Sequence, residues 1–516
     1  MGISELHWTV QAGYPVLATL QLLPLGAVLL LLLLRGNRLV YPAAITLSLL
    51  EFLLACDLYR LFDATSASLQ LAERLPLLTF LDYHAAADGM TVLFVLLTAV
   101  LSLLVVLYAR VRQLADSSRF LAMVFGIQAT LQGMFVTQDL LWFTLLSAVE
   151  LILIAYLLQH WAKAPQDESA MQRYLQFMGI GLLLLLAGTF MLGWNHADGT
   201  GGQWSFDLHE LSQQPVPLEI QGVIFFLLFY GLGIRIPLFP LHGWLPLVAE
   251  HGTIAVAGVF LLGLKTGVFA LVRFVFPLLP EAVLRWHAWV VAFALAGIFY
   301  AATLALMQVN LRRLLAFAVI SHTSVLVIGL FSLSKTALQG SILLSTSFGS
   351  ATAGLLFMSG FVFRRTRTLV LTRLGGLFGT LPVIGVAFLV AGLSIIGMPG
   401  TPGFDAAHLM LEAAIMEFGA MVTIAAALGN VIAAAFLLWA FQRAFLAPLP
   451  ESEAGREIEP PTRMERAIAG LIILLLLGTG FYSHPWLGLL QHSFDGLADL
   501  YAGAPHHGGM PAATHR

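Results

Sequence analysis

Apolar runs of about 20 residues, long enough to cross a bilayer as helices, recur along almost the whole chain. Fourteen spans are predicted, beginning near Val16, Leu39, Gly89, Phe120, Leu140, Gln172, Glu219, Thr253, Trp286, Arg313, Leu338, Leu381, Ala420 and Ala467. Two of the apolar stretches are broken by proline. The first break reads Ile234-Arg235-Ile236-Pro237-Leu238-Phe239-Pro240 and the second Gly397-Met398-Pro399-Gly400-Thr401-Pro402-Gly403-Phe404, each with Pro-x-x-Pro spacing, and Pro237 and Pro399 stand 162 residues apart. Proline lacks a backbone donor and clashes with the carbonyl one turn back, so a membrane helix keeps such a break only where protein or water re-satisfies the freed groups. Paired breaks in two halves point to the ion or substrate site of a transporter built from repeats.

Composition agrees with this pattern. The chain is 59% apolar and only 10% charged, against roughly 25% charged in a soluble domain, which makes it an all-α integral membrane protein. Met1 to Tyr14 is polar and mixed, unlike a cleaved leader, so the first span is expected to stay. One cysteine, Cys56, lies within the second span, which excludes a disulfide framework and a Cys-rich metal site. No cofactor or metal is expected. Adjacent His506 and His507 in the Gly/Pro-rich tail are too weak a pattern to hold a metal.

Basic residues set the orientation. With both termini outside, the inner connections hold 17 of the 25 basic residues, from Arg35 and Arg38 to Arg463 and Arg466, while the loop from Trp194 to Pro217 has neither lysine nor arginine. That asymmetry follows the positive-inside rule and predicts a multi-pass protein of a bacterial inner membrane with both termini on the periplasmic side. No basic stripe with interleaved aromatics is present, so nucleic acid is excluded as a partner. The soluble segments, 63–88, 194–217, 449–461 and 483–516, are each too short for a core of their own.

Ionisable residues inside spans are costly, about 2.5 to 3.5 kcal/mol at a helix centre, and so mark function. Glu150 lies ten residues into the fifth span with no charge near it in sequence. Lys265 lies in Leu264-Lys265-Thr266-Gly267, and the chain has only two other lysines, Lys163 and Lys335. A buried lysine can load and release a proton, which arginine practically cannot do; a snorkelling or structurally paired charge is the competing reading. Arg235, beside the first break, is the natural counter-ion of Glu150. His242, His251 and His322 are candidate proton relays. Asp405, His408 and Glu412 fall on one helical face after the second break and suggest an aqueous exit.

The stretch Arg235 to Pro246, followed by Leu264-Lys265-Thr266-Gly267 and Leu271-Val272-Arg273-Phe274, resembles the proton-conducting antiporter-like membrane subunits of respiratory complex I. Subunit M is the most similar member, and the multisubunit sodium/proton antiporters are relatives. Gln138-Asp139-Leu140 leading to Glu150, Leu311-Arg312-Arg313-Leu314 with Ser321-His322, and Leu374-Gly375-Gly376-Leu377 extend the match to about residues 85–445. The resemblance implies fourteen spans in two inverted five-helix repeats with broken helices 7 and 12. The segments are then 1–115 (helices 1–3), 116–275 (first repeat, helices 4–8), 286–445 (second repeat, helices 9–13) and 446–516 (linker, last helix and disordered tail).

It further implies that Glu150 pairs with a lysine of the seventh helix, and that Lys265 holds the transferable proton. Three positions depart from the family pattern: Arg235 replaces that seventh-helix lysine, Phe348 stands where a histidine is usual, and Ala407 stands where the twelfth helix usually has a carrier, leaving Asp405, His408 or Glu412 to substitute. The implied function is proton translocation within a complex I-like NADH-quinone oxidoreductase or related respiratory or hydrogenase assembly, with no catalytic chemistry in this chain itself. Its partners are other membrane subunits, the lipid bilayer, and protons, with sodium as the alternative ion. A membrane subunit of an energy-coupled inorganic carbon uptake complex is the alternative function, and a structural relic that no longer conducts is a third.

Overall fold

The computed structural model describes residues 4–78, 80–161, 169–251, 263–453 and 457–502. Outside them fall the predicted start of the eighth span near Thr253, Lys163, Arg456 and the tail histidines His506 and His507.

The helices that build the bundle are α1 (Val16–Leu33), α2 (Val40–Leu61), α3 (Gly89–Arg112), α4 (Ser117–Val136), α5 (Leu140–Trp161), α6 (Ser169–Gly199), α7 (Leu218–Arg235), α8 (263–270), α9 (Pro280–Leu306), α10 (Leu311–Leu330), α11 (Lys335–Thr366), α12 (Pro382–Ile395), α13 (Pro402–Phe441) and α14 (Arg463–Phe481). Among the described residues, twelve helices are long and apolar enough to cross a membrane. The shorter α12 is apolar throughout, and α13 is interrupted at Gly419 (φ +78°), a left-handed conformation that glycine adopts without a Cβ clash. The predicted span start near Ala420 falls at this break.

Burial separates core from periphery. The most apolar windows of α4 and α11 are 89% buried, whereas those of α2 and α14 are 28% buried, so the former are enclosed by protein and the latter leave most of their surface facing outward. The helices pack mainly as α1 on α4, α6 on α7, α9 on α10 and α11 on α13. Side-chain caps start several of them: Asp88 accepts from Thr91 N at 2.9 Å and Asn310 from Arg312 N at 2.9 Å, satisfying donors that a helix start leaves free.

One end of the bundle gathers arginines. Asn310 pairs with Val370 across two interhelical connections, Arg365 and Arg364 hold the fully buried Glu465, and Arg373 holds Glu453 at 2.6 Å. The other end carries a three-stranded sheet, an addition to the helical class that the sequence left as a soluble segment. In it β1 (Glu5–His7) runs parallel to β2 (Leu69–Leu78), which pairs antiparallel with β3 (Leu81–Ala87) in the register Arg74 opposite His84. Bridges from Ala85 to Thr137 and from Asp139 to Asp207 tie the hairpin, the α4–α5 connection and the α6–α7 loop together.

Candidate functional site

The first proline break ends α7 at Arg235, and the freed backbone groups find partners. Ile236 N donates to Leu232 O at 2.9 Å and Leu238 N to Gly233 O at 3.0 Å. The fully buried Trp244 donates its indole N–H to Ile234 O at 3.0 Å. A side chain thus supplies what the helix lacks, as a non-helical segment at membrane depth requires.

Arg235 is therefore held at a half-helix terminus, pointing inward. Its Nη1 pairs with the Glu150 carboxylate and donates to Thr266 Oγ1 at 3.0 Å. All three residues are buried. Thr266 in turn donates to Gly263 O at 2.7 Å, so one guanidinium bridges α5 to α8, and the residue just before Thr266 is Lys265. The expected Glu150–Arg235 pair is present, and Thr266 is a partner that sequence spacing did not reveal.

Lys265 faces a different space. It lines a narrow cavity of about 10 Å³ with Leu264, Val319, His322, Phe348, Thr352 and neighbouring residues, and among the described residues it makes no ion pair. His322 of α10 is buried, both ring nitrogens lack a partner among the described residues, and its ring stands edge-on to Phe348 at 4.9 Å. Phe348 thus lines the cavity with an apolar ring. His242 is also buried but packs on Tyr300 and Phe239, at 5.2 and 5.8 Å, and does not line the Lys265 cavity. His251 sits half-buried at the end of a short helix, Leu245–His251, near the arginine-rich end.

The second break repeats the first in backbone but not in chemistry. Met398 N donates to Leu393 O at 3.0 Å, as Leu238 N does to Gly233 O, which aligns the breaks at an offset of 160 residues, two short of the proline spacing. Arg235 then corresponds to Ile395, and that apolar residue lines the Lys265 cavity. Pro399 lies between Gly397 and Gly400, both at positive φ, while Pro402 opens α13.

The Asp405, His408 and Glu412 stripe lies on the outer face of α13. His408 and Glu412 are exposed and Asp405 is half-buried, whereas Ala407 and Met410 on the opposite face are buried. The helical spacing holds, but none of the three lines the Lys265 cavity. The polar groups that do line the interior here are hydroxyls: Ser341, Ser345, Ser347 and Ser394 are buried with unpartnered Oγ atoms.

At the sheet end, sequence reasoning missed a charged cluster. His84 is buried, with Nδ1 2.5 Å from Asp207 Oδ2 and Nε2 3.3 Å from Glu5 Oε2. Burial alone would lower its proton affinity, but the two carboxylates outweigh it and raise the imidazole to about 9. Burial also raises Asp139, to about 7, with the Asp207 charge adding to it. Asp139 immediately precedes α5 and bonds Trp142 N at 2.7 Å. Eleven residues on, close to three full turns, the same face of α5 carries Glu150, with Ser147 between them. The signal was available: Asp139 stands at a helix start, and the fifth-span polar residues repeat at helical spacing.

With this geometry in view, comparison with known proteins is decisive. The family described as NADH:quinone oxidoreductase/Mrp antiporter, TM, matches residues 137–433, more than half of the chain. The chain belongs to this family. The chloroplastic NAD(P)H-quinone oxidoreductase chain 4 of Physcomitrium patens is 30% identical over 448 residues, covering 84% of this chain and 88% of the relative. NADH-quinone oxidoreductase subunit M of Rickettsia typhi is 26% identical over 499 residues, covering 94% and 98%. A chain of respiratory complex I from Thermus thermophilus superposes with a TM-score of 0.84 at 28% identity, covering 94% of this chain and all of that one.

Proposed function

We propose that this chain is a proton-translocating, antiporter-like membrane subunit of a complex I-like respiratory assembly, working beside other membrane subunits that supply its driving force. The single observation that carries the mechanism is the arginine bridge: Arg235 binds Glu150 on one side and, through Thr266, the helix of Lys265 on the other. Lys265 is the proton carrier, without an ion pair among the described residues and lining the same cavity as His322. Arg235 keeps its proton and acts as a fixed counter-charge. A disturbance that draws Glu150 away leaves Arg235 closer in electrostatic effect to Lys265, and like charges in a poorly screened interior favour release of the lysine proton.

From Lys265 the proton passes to His322, whose two unpartnered nitrogens suit a relay that accepts at one side and donates at the other. Phe348 blocks a direct histidine chain, so onward transfer uses water held by the serine hydroxyls of α11 and α12. Asp139 and its neighbours at the sheet end form the mouth that leads along α5 to Glu150. In this reading residues 116–275 and 286–445 are the two repeats, 1–115 and 446–516 flank them, both termini face the periplasm, and the membrane is a bacterial inner membrane. The relatives above are quinone oxidoreductase subunits and a chain of respiratory complex I, and they give the inorganic-carbon alternative no support.

The test is Lys265→Ala in the complete complex reconstituted in vesicles. Proton flux is expected to be lost while the subunit still assembles. Normal flux in that variant would remove Lys265 from the carrier role.

A further inference from the structure

A second buried carboxylate lies outside this line. Glu51 sits halfway along α2, fully buried, in a span that carries no other charge until Asp57. Among the described residues its one hydrogen bond comes from Gln132 Nε2 of α4, 3.2 Å from Oε2. Among the described residues it makes no ion pair. By the criterion that selected Glu150 it belongs among the functional candidates, yet it lacks the arginine that Glu150 has.

The surroundings are polar and incomplete. Glu51 Oε1 and Gln132 Oε1 have no partner, nor do both amide ends of Gln128, one turn earlier on α4, nor Ser48 Oγ, one turn earlier on α2. All four residues are at most 1% exposed. Buried polar atoms are almost always satisfied by protein or water, and a bare carboxylate with one neutral donor would bear a desolvation cost of several kcal/mol. A neutral acid removes the charge and carries an O–H that can donate to an acceptor. Ordered water can then take the remaining lone pairs. Nearby, Gln21 of α1 donates to Tyr83 Oη in β3 at 2.7 Å, and its amide oxygen lies beside Gly133, the neighbour of Gln132.

We propose that Glu51, with Gln132, Gln128 and Ser48, forms a second intramembrane proton-binding site, which holds a transferable proton and bound water in the N-terminal helices, outside the Glu150–Lys265 line. The carboxylate takes the proton from hydronium, which leaves as water, and returns it the same way. The site stands independently of whether Lys265 carries protons.

Infrared difference spectra of the full chain in lipid, wild type minus Glu51→Gln, test it. At neutral pH the difference is expected to contain the C=O stretch of a protonated carboxylic acid, and transfer to D2O is expected to shift that band. The glutamine variant keeps the side-chain shape, and an unchanged melting temperature checks its fold. Should it not fold, Gln128→Leu serves instead, since it should shift the same band without removing it. Carboxylate bands alone at Glu51, or an acid band indifferent to both D2O and Gln128→Leu, would overturn the proposal. Glu150→Gln is expected to leave the Glu51 band in place, and its disappearance in that variant would overturn the separation of the two sites.

Discussion

The Glu150 carboxylate lies against Gly263 in the space that a Cβ would occupy. The ion pair with Arg235 therefore depends on a hydrogen atom at position 263, because any larger side chain would displace the carboxylate from α8. Gly263→Ala is expected to cost roughly 1–3 kcal/mol of stability, the usual range for overpacking, and to reduce proton flux in reconstituted vesicles well below wild type. Gly179→Ala, on α6 with open space around its Cβ position, is the control and should leave both unchanged. Equal flux in the two variants would separate the Glu150 position from transport.

Arg235 makes two contacts with one nitrogen, and an ammonium can make both in principle. Arg235→Lys is expected to preserve or raise flux, since a positive counter-charge remains. Arg235→Ala leaves Glu150 buried and unpaired, a loss of about 3–5 kcal/mol for breaking a buried pair, visible as a lower melting temperature. Complete loss of flux in the lysine variant would show that the guanidinium geometry itself is needed.

The parts of this site that could be read from sequence are those fixed by local pattern. Glu150 and Lys265 stand out because each is a lone charge in an apolar run, and Pro237 and Pro399 announce breaks because proline cannot continue a helix. What closes the breaks is not local. Trp244 reaches back to Ile234, and His84 meets Asp207 across 123 residues of sequence, contacts set by helix packing rather than spacing. The same limit explains the Asp405 stripe: periodicity of 3.6 puts three residues on one face but does not say which way that face turns. The hydrogen bonds from Leu238 and Met398 relate the two breaks at a spacing two residues shorter than the prolines do. Glu51 was as legible as Glu150 and was overlooked.

The inward serines and the outward acidic stripe give opposite forecasts for the second half. Ser347→Ala combined with Ser394→Ala should reduce flux severalfold by removing hydroxyls that hold water, with little effect on stability. Glu412→Gln and His408→Gln should leave flux near wild type. If the outward substitutions abolish transport and the serine pair does not, the exit runs over the exposed face of α13 instead.

The sheet end should make stability fall as pH rises. His84 has its folded-state value raised to about 9 by Asp207 and Glu5, from about 6.5 in an unfolded chain. Its contribution is therefore fully present below about pH 6.5 and is lost as pH climbs through 9. Asp139 acts in the same direction for a different reason. Burial raises it to about 7, so the folded protein binds a proton that the unfolded chain has already released above pH 4, and stability declines from about pH 4 to 7. Asp207, held below the ordinary carboxylate range despite its burial by His84 and Arg74, contributes above its unfolded value and loses that contribution only in acid. Thermal unfolding followed from pH 6.5 to 9 should show a falling melting temperature in the wild type and a flatter profile in His84→Gln. Parallel profiles would mean that the His84–Asp207 pair does not couple to folding, since each unit between folded and unfolded values is worth about 1.4 kcal/mol and would register.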